Sequence, residues 1–593
     1  MFAIPLYMDG LNDIVWKVAS FPHDLLKPFC WGRHTNTKVL GEAERLLTQY
    51  AVESFNTSTR KSEKCSLKKV IEGHHSRGKG LAQPWCMGDK LSSAIARLRY
   101  EYDYWHDVDG AEPFFVKVYG DVERWDARRV EDLKRQILLT LEEYVGRQEE
   151  GLAKVNELLS RFPCDSRFPF VSLKTHHWMT DVLHGKRCLH KLLANDQDVS
   201  KIALYMIRVS VAEPEFHRLR ELRSFKRYLE EGYSSLQSKL QGRGVIRIGD
   251  DLYLVTACDD EVEDVIGKVS ESGHGFNVDV FKWMLKWTET AEEPLYVVED
   301  EIRKPLAVGG CEELDLKPES YKPWAYLLEG RYRHLLWTSI RPKGDLEEAA
   351  EEFLNWAEHE LEKFRRKPCK HPIRQKVSLS PELLISIADG FNEFLSDCIY
   401  HFTRMQGSSK GYPIIRSFNR TMLVRSLADP SDAVDVYLKL AGLRRKLHIS
   451  ASIACVVCGP KYPFWRVLDL LGSLEDKGGG LAFELGEKMV QLDDRHAELL
   501  NRVRGYVRSE RPLQIYRIAR RACKDSKELL KLEIRAFAEQ DKIDRGCAER
   551  LCWLIDEISR MHSNDEERRE VTCRMFKILR MFARGGESHG GKG

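Results

Sequence analysis

The 593-residue chain is too long for a single hydrophobic core and is expected to divide into about three to five domains. Its 43% apolar and 10% aromatic content excludes a globally disordered chain. A formal net charge of +2 excludes nucleic-acid binding through an overall cationic excess, so any such contact must come from local basic patches. The 15 cysteines show no paired CxxC…CxxC spacing. Cys455-Val456-Val457-Cys458 lies in an apolar run and reads as buried core thiols rather than a zinc site. Scattered free cysteines point to a reducing compartment. The acidic Asp9 and Asp13 and the lack of a basic n-region argue against a signal peptide. No apolar run reaches the ~18 residues of a membrane span. The expectation is a soluble, cytoplasmic protein with no membrane partner.

In chain order, residues 1–125 read as mainly helical, with apolar helical periods over Lys38–Val52 and Lys90–Tyr104. Thr57–Lys68 is polar and basic and reads as a loop. Residues 126–196 continue as amphipathic helices such as Arg128–Gln148. The pattern then changes: Ile202–Val209 reads as a strand, a basic helical stretch runs to about Leu240, and Val245–Ala257 reads as strand–turn–strand around Gly249-Asp250-Asp251. That order predicts a ferredoxin-like unit. It recurs with His334–Ile340 as first strand, helices over Leu346–Phe364 and Pro381–Phe402, a hairpin over Ile414–Leu427, a helix over Ser431–Lys446 and a strand over Ile449–Val457. From Leu481 to Phe582 everything reads helical, and the glycine-rich tail reads as frayed.

One series of residues points to chemistry. His23-Asp24 is followed by His34, by His74-His75 some 50 residues on, and by Asp89 in Gly88-Asp89-Lys90-Leu91-Ser92-Ser93. Neutral imidazoles and carboxylates together can hold a divalent ion with coordination positions left open. Such an ion lowers the pKa of bound water and polarises a phosphoryl oxygen. His23, Asp24, His74, His75 and Asp89 are therefore the candidate catalytic and metal-ligating residues of an HD-type phosphohydrolase. The metal would be Mn, Ni, Co or Mg. His34 reads equally as a member of this ligand series or as a surface or supporting histidine.

Several segments in order resemble the large signature subunit of type III CRISPR effector complexes, the Cas-ten family, and the related type I-D large subunit. Phe21–Pro28 with Trp31-Gly32-Arg33-His34 resembles the family's "LHDPxxKP…GH" opening. His74-His75 resembles its internal histidine pair, and Gly88–Ser93 through Arg97 its "ADxxSS…R" helix. Glu215–Phe225 resembles a stretch of its first palm. Ile449–Ala454 with Lys461–Arg466 resembles the "SxGIxIxxxKYPL" segment of its second palm. The resemblance spans roughly residues 15–520 and implies an α+β multidomain protein. Its parts would be an all-α HD nuclease domain (1–125), a helical connector (126–196), two ferredoxin-like palms (197–325 and 326–480) and a C-terminal helical bundle (481–593). It implies metal-dependent cleavage of DNA, preferably single-stranded. Implied partners are guide CRISPR RNA, target nucleic acid, the small subunit and the repeat-family backbone subunits.

The departures bear on a second activity. The family's second palm carries a Gly-Gly-Asp-Asp turn whose carboxylates hold metal ions for making cyclic oligoadenylates. Here the corresponding hairpin reads Arg416-Ser417-Phe418-Asn419-Arg420-Thr421, with two arginines and no carboxylate. Asp250 and Asp251 of the first unit are a doubtful nucleotide or metal site, because Gly-Asp-Asp at a hairpin tip is ordinary turn chemistry. The expectation is a nuclease that has lost cyclase chemistry. An active cyclase using Asp250 and Asp251, or a catalytically vestigial organiser of the ribonucleoprotein, is the rival. The run from Lys363 to Lys376, including Arg365, Arg366, Lys367 and Lys370, is broken by prolines and reads either as a solvated loop or as a phosphate-contacting one. Residues 501–593 carry about 22 Lys/Arg against 15 Asp/Glu, which marks a candidate small-subunit or nucleic-acid contact.

Overall fold

A computed structural model describes residues 24–29, 36–56, 58–59, 61–73, 85–87, 89, 102–105, 108–167, 169–184, 201–211, 231–236, 238–240, 245–271, 276–289, 294–306, 334–368, 379–404, 411–459, 462–485 and 488–585. The chain divides into two compact units. The first comprises Met1–Pro214, Tyr228–Leu314 and Gly344–Asn392; the second comprises Glu215–Arg227, Asp315–Lys343 and Glu393–Gly593.

Residues 1–125 are not all-α. A 3-10 turn over Thr37–Ala43, capped by the Asn36 side chain, leads into α1 (Glu44–Gln49). The helix stops there because the chain turns into a hairpin of β1 (Ala51–Asn56) and β2 (Lys61–Ser66), in register from Ala51↔Ser66 to Asn56↔Lys61. Asn56 Oδ1 closes the turn by accepting from the Ser58 and Thr59 amides at 2.9 and 3.3 Å. The expected loop over Thr57–Lys68 is thus largely strand. Every described β2 residue is at least part-exposed, so no apolar alternation exists to reveal it. α2 (Leu67–Gly73) and the short strands β3 (Tyr102–Asp103), β4 (Phe114–Phe115) and β5 (Glu123–Arg124) follow.

α3 (Ala127–Glu143) starts at Asp126, whose side chain accepts from the Arg129 amide, and buries Leu133, Ile137 and Leu141 at four-residue spacing. α4 (Gln148–Leu158) and α5 (Leu173–His184) complete the helices of this part of the unit. A five-stranded sheet comes next, built from β6 (Lys201–Val211), β7 (Ile246–Ile248), β8 (Asp251–Thr256), β9 (Phe276–Glu289) and β10 (Pro294–Leu306) in the order β10-β9-β6-β8-β7. α6 (Asp259–Glu271) lies between β8 and β9 in sequence. The β7–β8 turn needs Gly249 at φ 62°, a conformation that disfavours side chains.

The second sheet is centred on β11 (His334–Pro342). α7 (Leu346–Leu361), the two-residue strand β12 (Lys367–Pro368) and α8 (Pro381–Arg404) intervene before β13 (Gly411–Arg416) and β14 (Thr421–Leu427). α9 (Asp432–Arg444) leads to β15 (Ala451–Cys458), and α10 (Phe464–Asp476) to β16 (Gly480–Leu485) and β17 (Lys488–Leu492). The order is β13-β14-β11-β15-β16-β17. In both sheets the first four strands of the unit lie in the spatial order fourth, first, third, second, which is that of a β-α-β-β-α-β unit. Cys455 and Cys458 are buried in β15, and burial pushes both thiols up to about 12.

The segment expected to be wholly helical from Leu481 instead opens with β16 and β17. The run is too short for a helical period to be distinguished from a strand, and pairing with β15 decides it. Helices begin at α11 (Asp494–Arg508) and continue through α12 (Pro512–Ala522), α13 (Lys527–Glu539), α14 (Arg545–Met561) and α15 (Asp565–Gly585). Cys523 and Cys573, read from sequence as free, form a disulfide between the end of α12 and α15. Among the described residues, no helix is long and apolar enough to cross a membrane.

Candidate metal centre

Two of the residues read from sequence come together, and a third joins them unforeseen. Asp24 sits in a turn held by the Lys27 amide donating to Asp24 O at 3.0 Å and anchored by buried Leu25 and Leu26. Asp89 follows the buried helical turn Trp85–Met87, whose Trp85 Nε1 donates to Ser54 Oγ of β1 at 3.1 Å. The hairpin missed in the sequence thus helps to position Asp89. His176, on α5, places Nε2 3.1 Å from Asp89 Oδ1 and 3.5 Å from Asp24 Oδ2. Asp24, Asp89 and His176 are all buried, and one ligand atom from each lies within 4.8 Å of the others. His23, His74, His75 and His34 lie outside the described residues.

Two charges frame this group. Glu382, in the first turn of α8, stands 3.2 Å from His176 Nδ1 and is fully buried. Lys27 Nζ contacts Asp24 Oδ2 at 2.6 Å and donates to Cys164 O at 2.7 Å. Burial opposes the Lys27 ammonium, but Asp24 in particular outweighs it and raises the pKa. Burial likewise opposes an imidazolium at His176, yet bonds to Asp24, Asp89 and Glu382 hold its pKa well above the ordinary histidine range. In the metal-free protein these bonds favour the imidazolium form of His176. With His176 neutral, three carboxylates and one ammonium leave two negative charges, which one divalent ion balances. The donor set fits such an ion: two carboxylate oxygens and an imidazole nitrogen, with Glu382 placed to orient the ring from behind.

The signal for His176 was in the sequence. The chain holds two His-His dipeptides, His74-His75 and His176-His177, and the second supplies the imidazole between Asp24 and Asp89. His177 turns the other way, with Nδ1 2.9 Å from Asn156 Oδ1 on α4. Nothing local marks Glu382, which is 206 residues from His176.

The Gly-Asp-Asp turn has a different character. Asp251 is fully buried and its Oδ2 accepts from Arg208 on β6 at 3.0 Å; Asp279 on β9 stands 3.5 Å from the same guanidinium. Burial opposes the Arg208 charge, and Asp251 and Asp279 overcome that. Asp250 pairs with Arg247 at 3.1 Å. The second sheet repeats the pattern. Arg420 at the β13–β14 turn donates from Nε to Ser339 Oγ of β11 and from a terminal nitrogen to Glu475 Oε1 of α10, both at 2.9 Å. In the first sheet Arg208 lies beside the hairpin carboxylate Asp251; in the second, Arg420 of the hairpin itself reaches Glu475 on α10.

In the basic run, Lys363 pairs with Glu360, Arg365 donates to Asp109 O at 3.0 Å, and Arg366 stacks over Tyr102 at 4.1 Å. Lys367 lies in β12, paired with β3. Lys370 lies outside the described residues.

No family model and no curated protein matches the chain. Solved structures do. Csm1 in T. onnurineus is similar over 96% of this chain and 99% of that one, with a TM-score of 0.53 and 12% identity. A Csm1-Csm4 cassette in complex with cA3 matches over the same shares at a TM-score of 0.52 and 11% identity. The apo Csm1-Csm4 cassette matches at 0.50 and 12%. The chain has the fold of Csm1, the type III large subunit, as the sequence resemblance implied.

Proposed function

We propose that this chain is the large subunit of a type III CRISPR effector complex and that its working centre is a metal-dependent DNA nuclease at Asp24, Asp89 and His176. The observation that carries the nuclease reading is the convergence of two carboxylates and one imidazole, from sequence-distant segments, on a point one ion can occupy. His23, His74 and His75 are the further ligands this reading assigns. When bound, a divalent ion supplies Lewis-acid polarisation of a phosphoryl oxygen and a nucleophilic water at neutral pH. Asp24 and Asp89 offer anionic oxygens, and Glu382 fixes the His176 tautomer so that Nε2 faces the centre. Lys27 holds one oxygen of Asp24 and limits the excess negative charge.

The two sheets act in this reading as palms that no longer make cyclic oligoadenylates. Arg208 is a permanent cation beside Asp251 of the first hairpin, Arg420 occupies the second hairpin itself, and a guanidinium cannot be cleared by losing a proton. The palms would organise the complex, with a Csm4-like partner, the small subunit, guide RNA and target. Lys363, Arg365, Arg366, Lys367 and Lys370 are candidate phosphate contacts.

The test is cleavage of end-labelled single-stranded DNA with Mn²⁺ by the chain and by its assembled complex. Wild type should cut and the Asp24→Asn/Asp89→Asn double variant should not. Undiminished cutting by the double variant would sink the nuclease assignment. Formation of cyclic oligoadenylates from ATP, when target RNA is added to the complex, would restore the cyclase reading.

A further inference from the structure

The C-terminal helices hold a second group of imidazoles and carboxylates that the proposed nuclease does not use. His496 lies in the first turn of α11, and its ring Nδ1 is 2.7 Å from Oδ1 of Asp493, the residue that caps the helix. His562 ends α14, and its Nδ1 is 3.1 Å from Oε1 of Glu567 in the first turn of α15. The two Nε2 atoms face one another at 3.2 Å. The ring planes are 9° apart and the centroids 5.4 Å apart. With so short a nitrogen contact, that centroid separation means the rings meet edge to edge rather than face to face.

Hydrogen counting exposes the problem this creates. Each carboxylate needs a hydrogen on the Nδ1 that faces it. Asp493 Oδ1 already accepts from the His496 backbone amide at 2.9 Å and stands 2.7 Å from the ring Nδ1. Both neutral rings therefore carry hydrogen on Nδ1, and both Nε2 atoms present lone pairs to each other. Two lone pairs at 3.2 Å repel unless something positive lies between them.

We propose that His496 and His562 form a second metal site, taking one borderline divalent ion of the Zn²⁺, Co²⁺ or Ni²⁺ class. Two metal–nitrogen bonds of ~2.0–2.1 Å span such a gap at a near-tetrahedral angle. The opposed lone pairs converge on the ion once both rings turn about their Cβ–Cγ bonds. A carboxylate behind each ring is the arrangement that fixes tautomer and raises basicity at metal-bound histidine. Asp493 and Glu567 also supply two negative charges to match the ion. The His496 and His562 side chains are 10% and 14% exposed, which leaves water a path to complete the shell. Such an ion would pin the start of α11 to the α14–α15 connection.

The test is equilibrium dialysis of the full chain against Zn²⁺, read as equivalents bound, with thermal unfolding as a second readout. His496→Gln and His562→Gln should each lose the same single equivalent relative to wild type. Asp89→Asn should retain that equivalent, whatever becomes of the nuclease centre. Glu567→Gln keeps both ligands and should bind the ion about 10–100-fold more weakly. Zn²⁺ should raise the unfolding temperature of wild type more than that of His562→Gln. Equal equivalents in wild type and both histidine variants would overturn the proposal. So would nitrogen-15 spectra of wild type showing one proton shared between the two rings and undisturbed by Zn²⁺.

Discussion

The buried carboxylates of this chain fall into two kinds, and the cation beside them separates the kinds. Asp24, Asp89 and Glu382 surround His176, whose charge is removed by losing one proton. Asp251 and Asp279 face Arg208, and Glu475 faces Arg420, whose charges cannot be removed that way. In the proposed reading the first group exchanges a proton for a metal ion, while the second keeps its cation. Similar acidic content then gives a candidate metal site in one place and a structural ion pair in the other.

The comparison can be broken most sharply at the ligands. Asp24→Asn/Asp89→Asn should lower metal-dependent DNA cleavage on the order of 10³-fold or more, because the Lewis acid loses its anchors. Measured rates with Mn²⁺ check this, and a similar loss in Asp250→Asn would erase the distinction between the two groups. Next in size is Arg208→Met, which strands Asp251 and Asp279 without their cation. It should destabilise the protein by about 3–5 kcal/mol in urea unfolding. A neutral outcome would mean that Arg208 is not the structural counter-charge.

Glu382→Gln is milder. It should weaken Mn²⁺ binding by about 10–100-fold and leave the folded state intact by circular dichroism. Metal uptake at this centre should also release a proton from His176, since that group's pKa is raised in the metal-free protein. Affinity should therefore climb with pH. Titrations in buffers of different ionisation heat would detect the proton.

The smallest effect concerns Asp165, near Lys27. Burial would raise its pKa, but Arg167 and Lys27 overcome this and hold it at about 2. A depressed carboxylate contributes stability above its unfolded pKa and loses it as pH falls through the folded value. Asp165→Asn should cost about 2 kcal/mol at neutral pH, a difference that fades between about pH 4 and pH 2. Acid unfolding of the two proteins side by side reads this out.

Much of the strand order was legible because it is local. The apolar run Ile202–Val209 became β6, and His334–Ile340 became the central strand β11. Gly249-Asp250-Asp251 became a turn, with the glycine at positive φ. The β1–β2 hairpin escaped notice because its second strand faces solvent and carries no alternation. β16 was absorbed into a helical region because a short apolar run has no period of its own, and its identity comes from pairing with β15.

The linear sequence marks His23, Asp24 and Asp89 as candidate metal ligands and places two arginines and no carboxylate in the Arg416–Thr421 hairpin. Both are matters of residue type at short spacing, which a linear chain displays. Folding alone brings His176 between Asp24 and Asp89, sets Glu382 behind it, and gives Arg420 its partners Glu475 and Ser339. Those partners lie between 55 and 206 residues apart. Convergence over such separations is set by how buried faces pack, and no local period or spacing records it.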